Sequence, residues 1–211
     1  LNNNNYIMTI NNLPLYELMF DDNDSTLGCS KISLVEDPAV EEFFLKFSKD
    51  GQEKEHKSFY FKDDSKHIVT GIAMRADYPI YRNQDGQEFY VQFSKDTIDK
   101  MMQKFMKEQR QFDISLDHNQ DVRDCYLIES FIINKERGIC PNEFSDVEDG
   151  SWIISVKIEN QDVWNKICSG EVKGFSIETE MIANAFSNQK KKAKELGISV
   201  DELTKLFSIF K

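Results

Sequence analysis

Long apolar runs are missing from this chain. In 211 residues, no stretch approaches the ~18 consecutive apolar residues of a membrane helix. Residues 1–8 also lack the basic and apolar regions of a secretory signal. The mean hydropathy of −0.54 is typical of a globular, water-soluble protein. These features argue against membrane and secreted proteins.

Cysteine and histidine are also scarce, with four and three residues respectively. The sequence has no C-x-x-C pair and no histidine close to a cysteine, so it predicts neither a zinc site nor a disulfide framework. We therefore expect no metal, no cofactor and reduced, mostly packed thiols in a cytoplasmic compartment. The cysteines are Cys29, Cys125, Cys140 and Cys168.

Positive charge is under-represented. Lys and Arg number 26 against 37 Asp and Glu, which gives a net charge of −11. A body this acidic repels phosphate backbones, so we do not expect nucleic acid as a partner. The one short basic run, at residues 190–192, is interpreted as a solvated helix face.

Hydrophobic periodicity predicts an α+β fold. Ser94 and Asn160 are predicted to cap helices, and residues 188–211 are predicted to be helical. Because no regular βαβ alternation is present, we expect a β-barrel or a strongly curved, mostly antiparallel sheet with flanking helices. Strands are predicted at residues 13–20, 30–35, 67–74, 88–93, 112–118, 126–133, 152–158 and 174–181.

Composition divides the chain into three parts. Residues 1–25 form an Asn- and Asp-rich N-terminal segment, residues 26–182 form the main domain, and residues 183–211 form a helical extension. Apolar residues recur at helical spacing in the extension, which predicts an amphipathic helix packed against another surface. They are Leu196, Val200, Leu203, Leu206 and Phe207.

The three histidines limit the possible general bases. Near neutral pH the base must be His56, His67 or His118, unless a carboxylate serves. His56 lies in a charged run, and His67 opens a strand. His118 ends an amphipathic strand and is followed by polar residues, so it is the best candidate of the three.

Among the serines, Ser176 is distinguished by its position. It lies in a predicted strand that opens with Gly174, and it shares one side of that strand with Glu178 and Glu180. Such a face is either a functional site or an exposed polar surface. No G-x-S-x-G, H-E-x-x-H, P-loop or G-x-G-x-x-G motif is present. The residues alone therefore indicate a candidate Ser/His pair and no specific reaction.

Five segments, in order, resemble the XkdF-like family of phage serine proteases. The most specific is the closing stretch, which contains S-G-E-V-K-G-F-S-I-E at residues 169–178. The opening segment is S-L-V-E-D-P-A at residues 33–39. The other three segments are residues 67–71 with 80–82, residues 89–94 and residues 127–133, and the closing stretch also includes residues 150–155 and 163–164. The resemblance thus spans roughly residues 30–180.

This resemblance implies a protease domain over residues 26–182, related to phage prohead proteases and similar in fold to herpesvirus assemblins. It implies that Ser176 is the nucleophile and His118 the general base. In the better-known prohead proteases, a strand with a candidate orienting Glu follows the serine strand. Here the similar strand comes first in the chain, and Lys31 stands in place of that Glu. We therefore expect a circular permutation in which the strand at residues 30–35 packs beside the Ser176 strand.

The carboxylate that orients the base is then expected to be Glu178. Asp117 and Asp121 are alternatives, as is a dyad assisted by water. For the oxyanion hole, the candidates are a backbone N–H near the serine and Arg82. A thiol protease using Cys125 or Cys168 is a further alternative that matches no family position.

The function implied by the resemblance is capsid maturation. A serine endopeptidase of this family would act in the host cytoplasm inside the immature phage capsid, with scaffold and major capsid protein as substrates, and it would also cleave itself. We expect a homo-oligomer, with a dimer as one form, and no nucleic-acid or membrane partner. The alternative is a catalytically inactive structural or assembly protein of the phage head that retains the protease fold. A generic binding module is a third possibility, which a close Ser/His contact would argue against.

Overall fold

A computed structural model gives the architecture of most of the chain. It describes residues 9–11, 13–18, 28–38, 46–47, 53–54, 61–63, 65–84 and 87–179. The predicted helical extension at residues 183–211 lies outside the described residues, as does most of the predicted N-terminal segment. His56 also lies outside them.

The described residues form fourteen strands and two α-helices, together with 3-10 turns at Arg110–Phe112 and Asn142–Phe144. The helices are α1 (Lys95–Lys107) and α2 (Gln161–Ser169). The strands are β1 (Thr9–Ile10), β2 (Leu13–Leu18), β3 (Cys29–Val35), β4 (Lys46–Phe47), β5 (Glu53–Lys54), β6 (Phe61–Asp63), β7 (Ile68–Met74), β8 (Ile80–Gln84), β9 (Gln87–Phe93), β10 (Ile114–Leu116), β11 (Gln120–Asp121), β12 (Cys125–Ile132), β13 (Trp152–Ile158) and β14 (Gly174–Thr179).

Three four-stranded sheets organise the fold, with strand orders β1-β2-β9-β8, β11-β10-β3-β14 and β12-β13-β7-β6. Most neighbouring strands run antiparallel, and the β3–β10 and β2–β9 pairs run parallel. The predicted α+β class and the mostly antiparallel pairing are confirmed.

A closed barrel is not found among the described strands. Closure requires every edge strand to pair with another strand. Each four-stranded sheet here ends in two edge strands, and β14 lies against β7 without forming a ladder with it. The barrel expected as one form of the fold is therefore wrong for the described residues.

Both predicted helix caps are present. The side chain of Ser94 accepts a hydrogen bond from the N–H of Thr97, and that of Asn160 accepts from the N–H groups of Asp162 and Val163. Helix α2 ends at Gly170, whose φ of 77° lies in the left-handed region that glycine adopts without strain.

The core lies between the sheets and the two helices. In α1, Ile98, Met101 and Phe105 are fully buried at helical spacing. The ring of Phe105 packs edge-on against Trp152 of β13, with ring centroids 5.6 Å apart. Full burial of a side chain such as Phe105 contributes about 1.5–3 kcal/mol, so these contacts fix α1 on the sheet. No helix in the described residues is long and apolar enough to cross a membrane.

Candidate functional site

The sheet β11-β10-β3-β14 has one apolar and one polar face. On the apolar face, Phe175, Leu34 and Ile32 are buried in the core. On the other face, Ser176 of β14 lies opposite Ser33 of β3. Because side chains alternate along a strand, this polar face also carries Glu178 and its cross-strand partner Lys31.

The polar row continues across all four strands. Ser33 pairs with Ser115 of β10, and Ser115 pairs with Asp121 of β11. Ser33 and Ser115 each stand in the middle of an Ile-Ser-Leu tripeptide, and the two tripeptides lie side by side in parallel register. The sheet thus places three serines and a carboxylate in one line, beginning at Ser176.

His118 lies in the turn between β10 and β11. The sequence predicted that it would end a strand, but the strand ends two residues earlier, at Leu116. Asp117 and His118 have φ values of 47° and 60°, which end the extended ladder. The turn is held onto β3, because the N–H of Asp117 donates to the carbonyl of Leu34 at 2.9 Å.

The main chain of His118 makes a second contact with β3. Its N–H donates to the hydroxyl oxygen of Ser33 at 2.9 Å. The turn therefore lies over the polar face of the sheet, and the His118 ring comes close to β14.

The ring of His118 faces Glu178. Its Nδ1 lies 3.4 Å from Oε1 of Glu178, and the two side chains are 44% and 24% exposed. The same Oε1 accepts a hydrogen bond of 2.5 Å from the hydroxyl of Ser115. A carboxylate beside Nδ1 favours the tautomer whose Nε2 carries a lone pair, as a general base requires.

Ser176 lies on the same strand face as Glu178, two residues earlier, and is half-buried. Its hydroxyl makes no hydrogen bond with another described residue, and none with His118 in particular. The structure thus brings the His118 ring to Glu178, and Ser176 is the neighbouring residue on the same face of β14. Catalytic hydrogen bonds are often long or unmade before substrate binds, so this geometry is compatible with a serine nucleophile.

The alternative carboxylates have other partners. Asp121 forms an ion pair with Lys31, and Asp117 Oδ1 accepts a hydrogen bond from the N–H of Glu36 at 3.3 Å. The hydrogen bond to Asp121 raises the pKa of Lys31 above its ordinary value, which keeps the ammonium charged.

The remaining sequence candidates lie elsewhere. Arg82 is on β8, in another sheet, and its Nη1 donates to the carbonyl of Tyr81 at 3.0 Å. Burial lowers the pKa of Arg82. His67 stacks on Trp164 with ring centroids 4.3 Å apart, which is a packing contact.

The two candidate thiols lie outside this sheet. Cys125 is buried at the start of β12, and Cys168 is exposed near the end of α2. Burial raises the pKa of Cys125 to about 11, which disfavours its nucleophilic thiolate. In the part of the chain that the structure describes, no cluster of three or more His, Cys, Asp or Glu residues is arranged to hold a metal ion.

Sequence reasoning missed Ser33 and Ser115. Both are on the polar face, and both contact the candidate site through hydrogen bonds. The repeated Ile-Ser-Leu tripeptide was the available signal, because a serine between two core residues must face away from the core.

Comparison with known proteins identifies the family. A family model described as "Putative phage serine protease XkdF" matches residues 55–184, more than half of the chain. The matched range includes Ser176, His118 and Glu178 but not β3. No curated protein and no solved structure matches the chain. The resemblance seen in the sequence is confirmed, and the chain belongs to this XkdF family.

Proposed function

We propose that this protein is a serine endopeptidase of phage capsid maturation. It cleaves segments of scaffold and major capsid protein, and itself, inside the immature capsid in the host cytoplasm. Membership of the XkdF family supports the reaction class. The observation that carries the assignment of residues is the 3.4 Å approach of His118 Nδ1 to Glu178 Oε1, with Ser176 two residues from Glu178 on the same strand face.

In this proposal, Ser176 Oγ attacks the scissile carbonyl carbon while His118 Nε2 takes the hydroxyl proton. The C–N bond then breaks, and the imidazolium gives that proton to the leaving amine. In the second half, water attacks the acyl-enzyme carbonyl carbon while His118 takes its proton. The ester bond to Ser176 Oγ then breaks, Oγ receives the proton from the imidazolium, and the carboxylic acid leaves. Glu178 holds Nδ1–H and stabilises the positive charge that forms on the ring.

The proposal requires one movement. The ring of His118 must bring Nε2 within hydrogen-bond reach of Ser176 when substrate binds, at roughly 2.6–3.2 Å. We infer that the His118 side chain, which is 44% exposed, makes this rotation. The turn itself need not move, because its main chain is fixed to Ser33 and Leu34.

The pairing of β3 with β14 supports Glu178 as the orienting carboxylate. The expected neighbour relation between the strand at residues 30–35 and the Ser176 strand is present. Lys31, which stands where related proteases carry Glu, lies directly opposite Glu178. We propose that the carboxylate has changed strands while staying beside the base, in a circularly permuted relative of the prohead proteases.

Co-expression with the scaffold and capsid proteins of the same phage tests the function. We expect the intact chain to cleave them, and Ser176→Ala to leave them intact while keeping the same melting temperature. Ser169→Ala is the matched control, since it removes an exposed hydroxyl at the end of α2. Cleavage that survives Ser176→Ala would contradict the assignment.

The second candidate is a non-catalytic assembly protein of the phage head. The observation that favours it is the missing hydrogen bond between Ser176 and His118 among the described residues. Under this alternative the intact chain binds scaffold or capsid protein and cleaves neither. The same co-expression separates the two functions, since binding without any cleavage product supports only the second.

A further inference from the structure

Two fully buried hydroxyls lie beneath the candidate site. Ser33 is 0% exposed and Ser115 is 1% exposed. A buried hydroxyl is costly unless it is hydrogen-bonded, so the partners of these two serines matter for the fold. Both partners belong to the candidate site, since Ser115 donates to Glu178 and Ser33 accepts from the N–H of His118.

We propose that Ser33 and Ser115 are positioning residues that hold His118 and Glu178 in their mutual orientation. Ser115 fixes the carboxylate of Glu178 so that Oε1 faces Nδ1, and Ser33 fixes the turn that carries the ring. This inference rests on the proposed function for its catalytic meaning. The orientation of the ring can nevertheless be measured without any substrate.

The geometry supports this role because the two contacts converge. A single oxygen, Glu178 Oε1, is the acceptor for Ser115 and the neighbour of His118 Nδ1. Ser33 and Ser115 are themselves adjacent in the parallel β3–β10 pair. Ser33 thus holds the main chain of His118, and Ser115 holds the carboxylate that faces the His118 ring.

Without Ser115, the carboxylate has other partners available. Lys31 lies opposite Glu178 on β3, and the carboxylate is partly exposed to solvent. Other charged groups near this face are Asp121 on β11, which holds Lys31, and Asp117 next to His118 in the turn. Asp113 also acts electrostatically on Lys31, and it is paired with Arg110. Loss of the Ser115 hydroxyl therefore lets Glu178 turn away from Nδ1.

The tautomer of His118 reports this change directly. Which ring nitrogen of a neutral histidine carries the proton is set by the hydrogen bond that it makes. The carboxylate of Glu178, 3.4 Å from Nδ1, favours the Nδ1–H form through its negative charge. We expect the intact protein to show mainly Nδ1–H at His118, and Ser115→Ala and Ser33→Ala to lower the ratio of Nδ1–H to Nε2–H several-fold.

Ring ¹⁵N chemical shifts measured at a mildly alkaline pH give this ratio. The His118 signals are assigned by their loss in His118→Gln. Ser155→Ala is the matched control, because Ser155 is also a fully buried strand serine that donates to a glutamate, Glu129, in a different sheet. Ser115→Thr is the rescue variant, since it keeps the hydroxyl donor, and we expect it to keep the Nδ1–H form.

An unchanged ratio in folded Ser115→Ala and Ser33→Ala would overturn the inference, as would an equal change in Ser155→Ala. If a serine-to-alanine variant fails to fold, the intact protein and Ser115→Thr still decide, because a dominant Nε2–H form in both contradicts the proposed orientation.

Failure of the proposed protease function would be seen separately, as uncleaved scaffold with a correct tautomer ratio. If cleavage occurs, both alanine variants should lower kcat on the order of 10- to 100-fold with little change in KM.

Discussion

Lys31 and Glu178 lie opposite each other on β3 and β14, yet the ammonium of Lys31 pairs with Asp121 on β11. This arrangement leaves the Glu178 carboxylate to Ser115 and His118. It also argues against Lys31 as a general base, because the hydrogen bond to Asp121 raises the pKa of Lys31 and keeps the amine protonated. By pairing with Lys31, Asp121 keeps its ammonium from pairing with the Glu178 carboxylate across the β3–β14 strand pair.

The first prediction concerns Asp121. In Asp121→Asn, Lys31 loses its charged partner and is free to pair with Glu178, which draws the carboxylate away from His118. We expect kcat for scaffold cleavage to fall on the order of 10-fold with an unchanged melting temperature, since the broken ion pair is exposed. Steady-state kinetics and thermal unfolding of the purified variant measure both quantities.

The control for this prediction is the double variant Asp121→Asn with Lys31→Gln. The added substitution removes the cation that competes for Glu178 and should restore most of the lost kcat. A double variant as slow as Asp121→Asn alone would mean that Lys31 does not compete for Glu178.

A second prediction concerns the carboxylate itself. Glu178→Gln keeps the shape of the side chain but removes the charge that stabilises the protonated ring during the reaction. We expect kcat to fall at least ~100-fold while KM changes little, as for a group that acts mainly in the transition state. The matched control is Glu129→Gln, which alters a glutamate that accepts from a buried serine in another sheet. Equal losses of kcat in Glu178→Gln and Glu129→Gln would contradict a catalytic role for Glu178.

The cysteines give a third prediction. Burial raises the pKa of Cys125 to about 11, and it raises that of Cys29 further. At pH 8 only about 0.1% of Cys125 is then thiolate, the form that reacts with alkylating agents. We expect brief treatment with iodoacetamide to modify the exposed Cys168 and to leave Cys29 and Cys125 unmodified, as read by peptide mass spectrometry.

Raising the pH to 11 should make Cys125 reactive if the fold persists, because the thiolate fraction then approaches one half. Rapid modification of Cys125 at pH 8 would contradict its burial. It would also revive the thiol protease that the sequence left open as an alternative.

The local structure of this protein could be predicted well from its sequence. The strands predicted over residues 30–35, 67–74, 88–93 and 152–158 match β3, β7, β9 and β13 within one residue, and the strand predicted from residue 174 begins where β14 begins. Ser94 and Asn160 are the caps that their positions predict. These features depend on interactions between residues that are close in the chain.

The arrangement of the sheets could not be predicted in the same way. The parallel pairing of β3 with β10 and the open edges of the sheets depend on contacts between residues far apart in the sequence. The turn at Asp117 and His118 was also missed, because two consecutive non-glycine residues with positive φ leave no clear signal in composition.

The candidate site could be predicted in part from the sequence. Ser176 and Glu178 share a strand, so their common face follows from alternation alone. The approach of His118 to that face depends on the β3–β10 pairing, which brings Ser33 under the turn. Family resemblance indicated Ser176 and His118, whereas the hydrogen bonds that Ser33 and Ser115 make to the candidate site follow only from the three-dimensional structure.

Covalent labelling with a fluorophosphonate tests the central claim most directly, because it needs an activated serine and no knowledge of the natural substrate. We predict a single adduct on Ser176, mapped by peptide mass spectrometry, that is lost in His118→Gln and retained in His67→Gln. No adduct on the folded protein, or one on a different serine, would contradict the account.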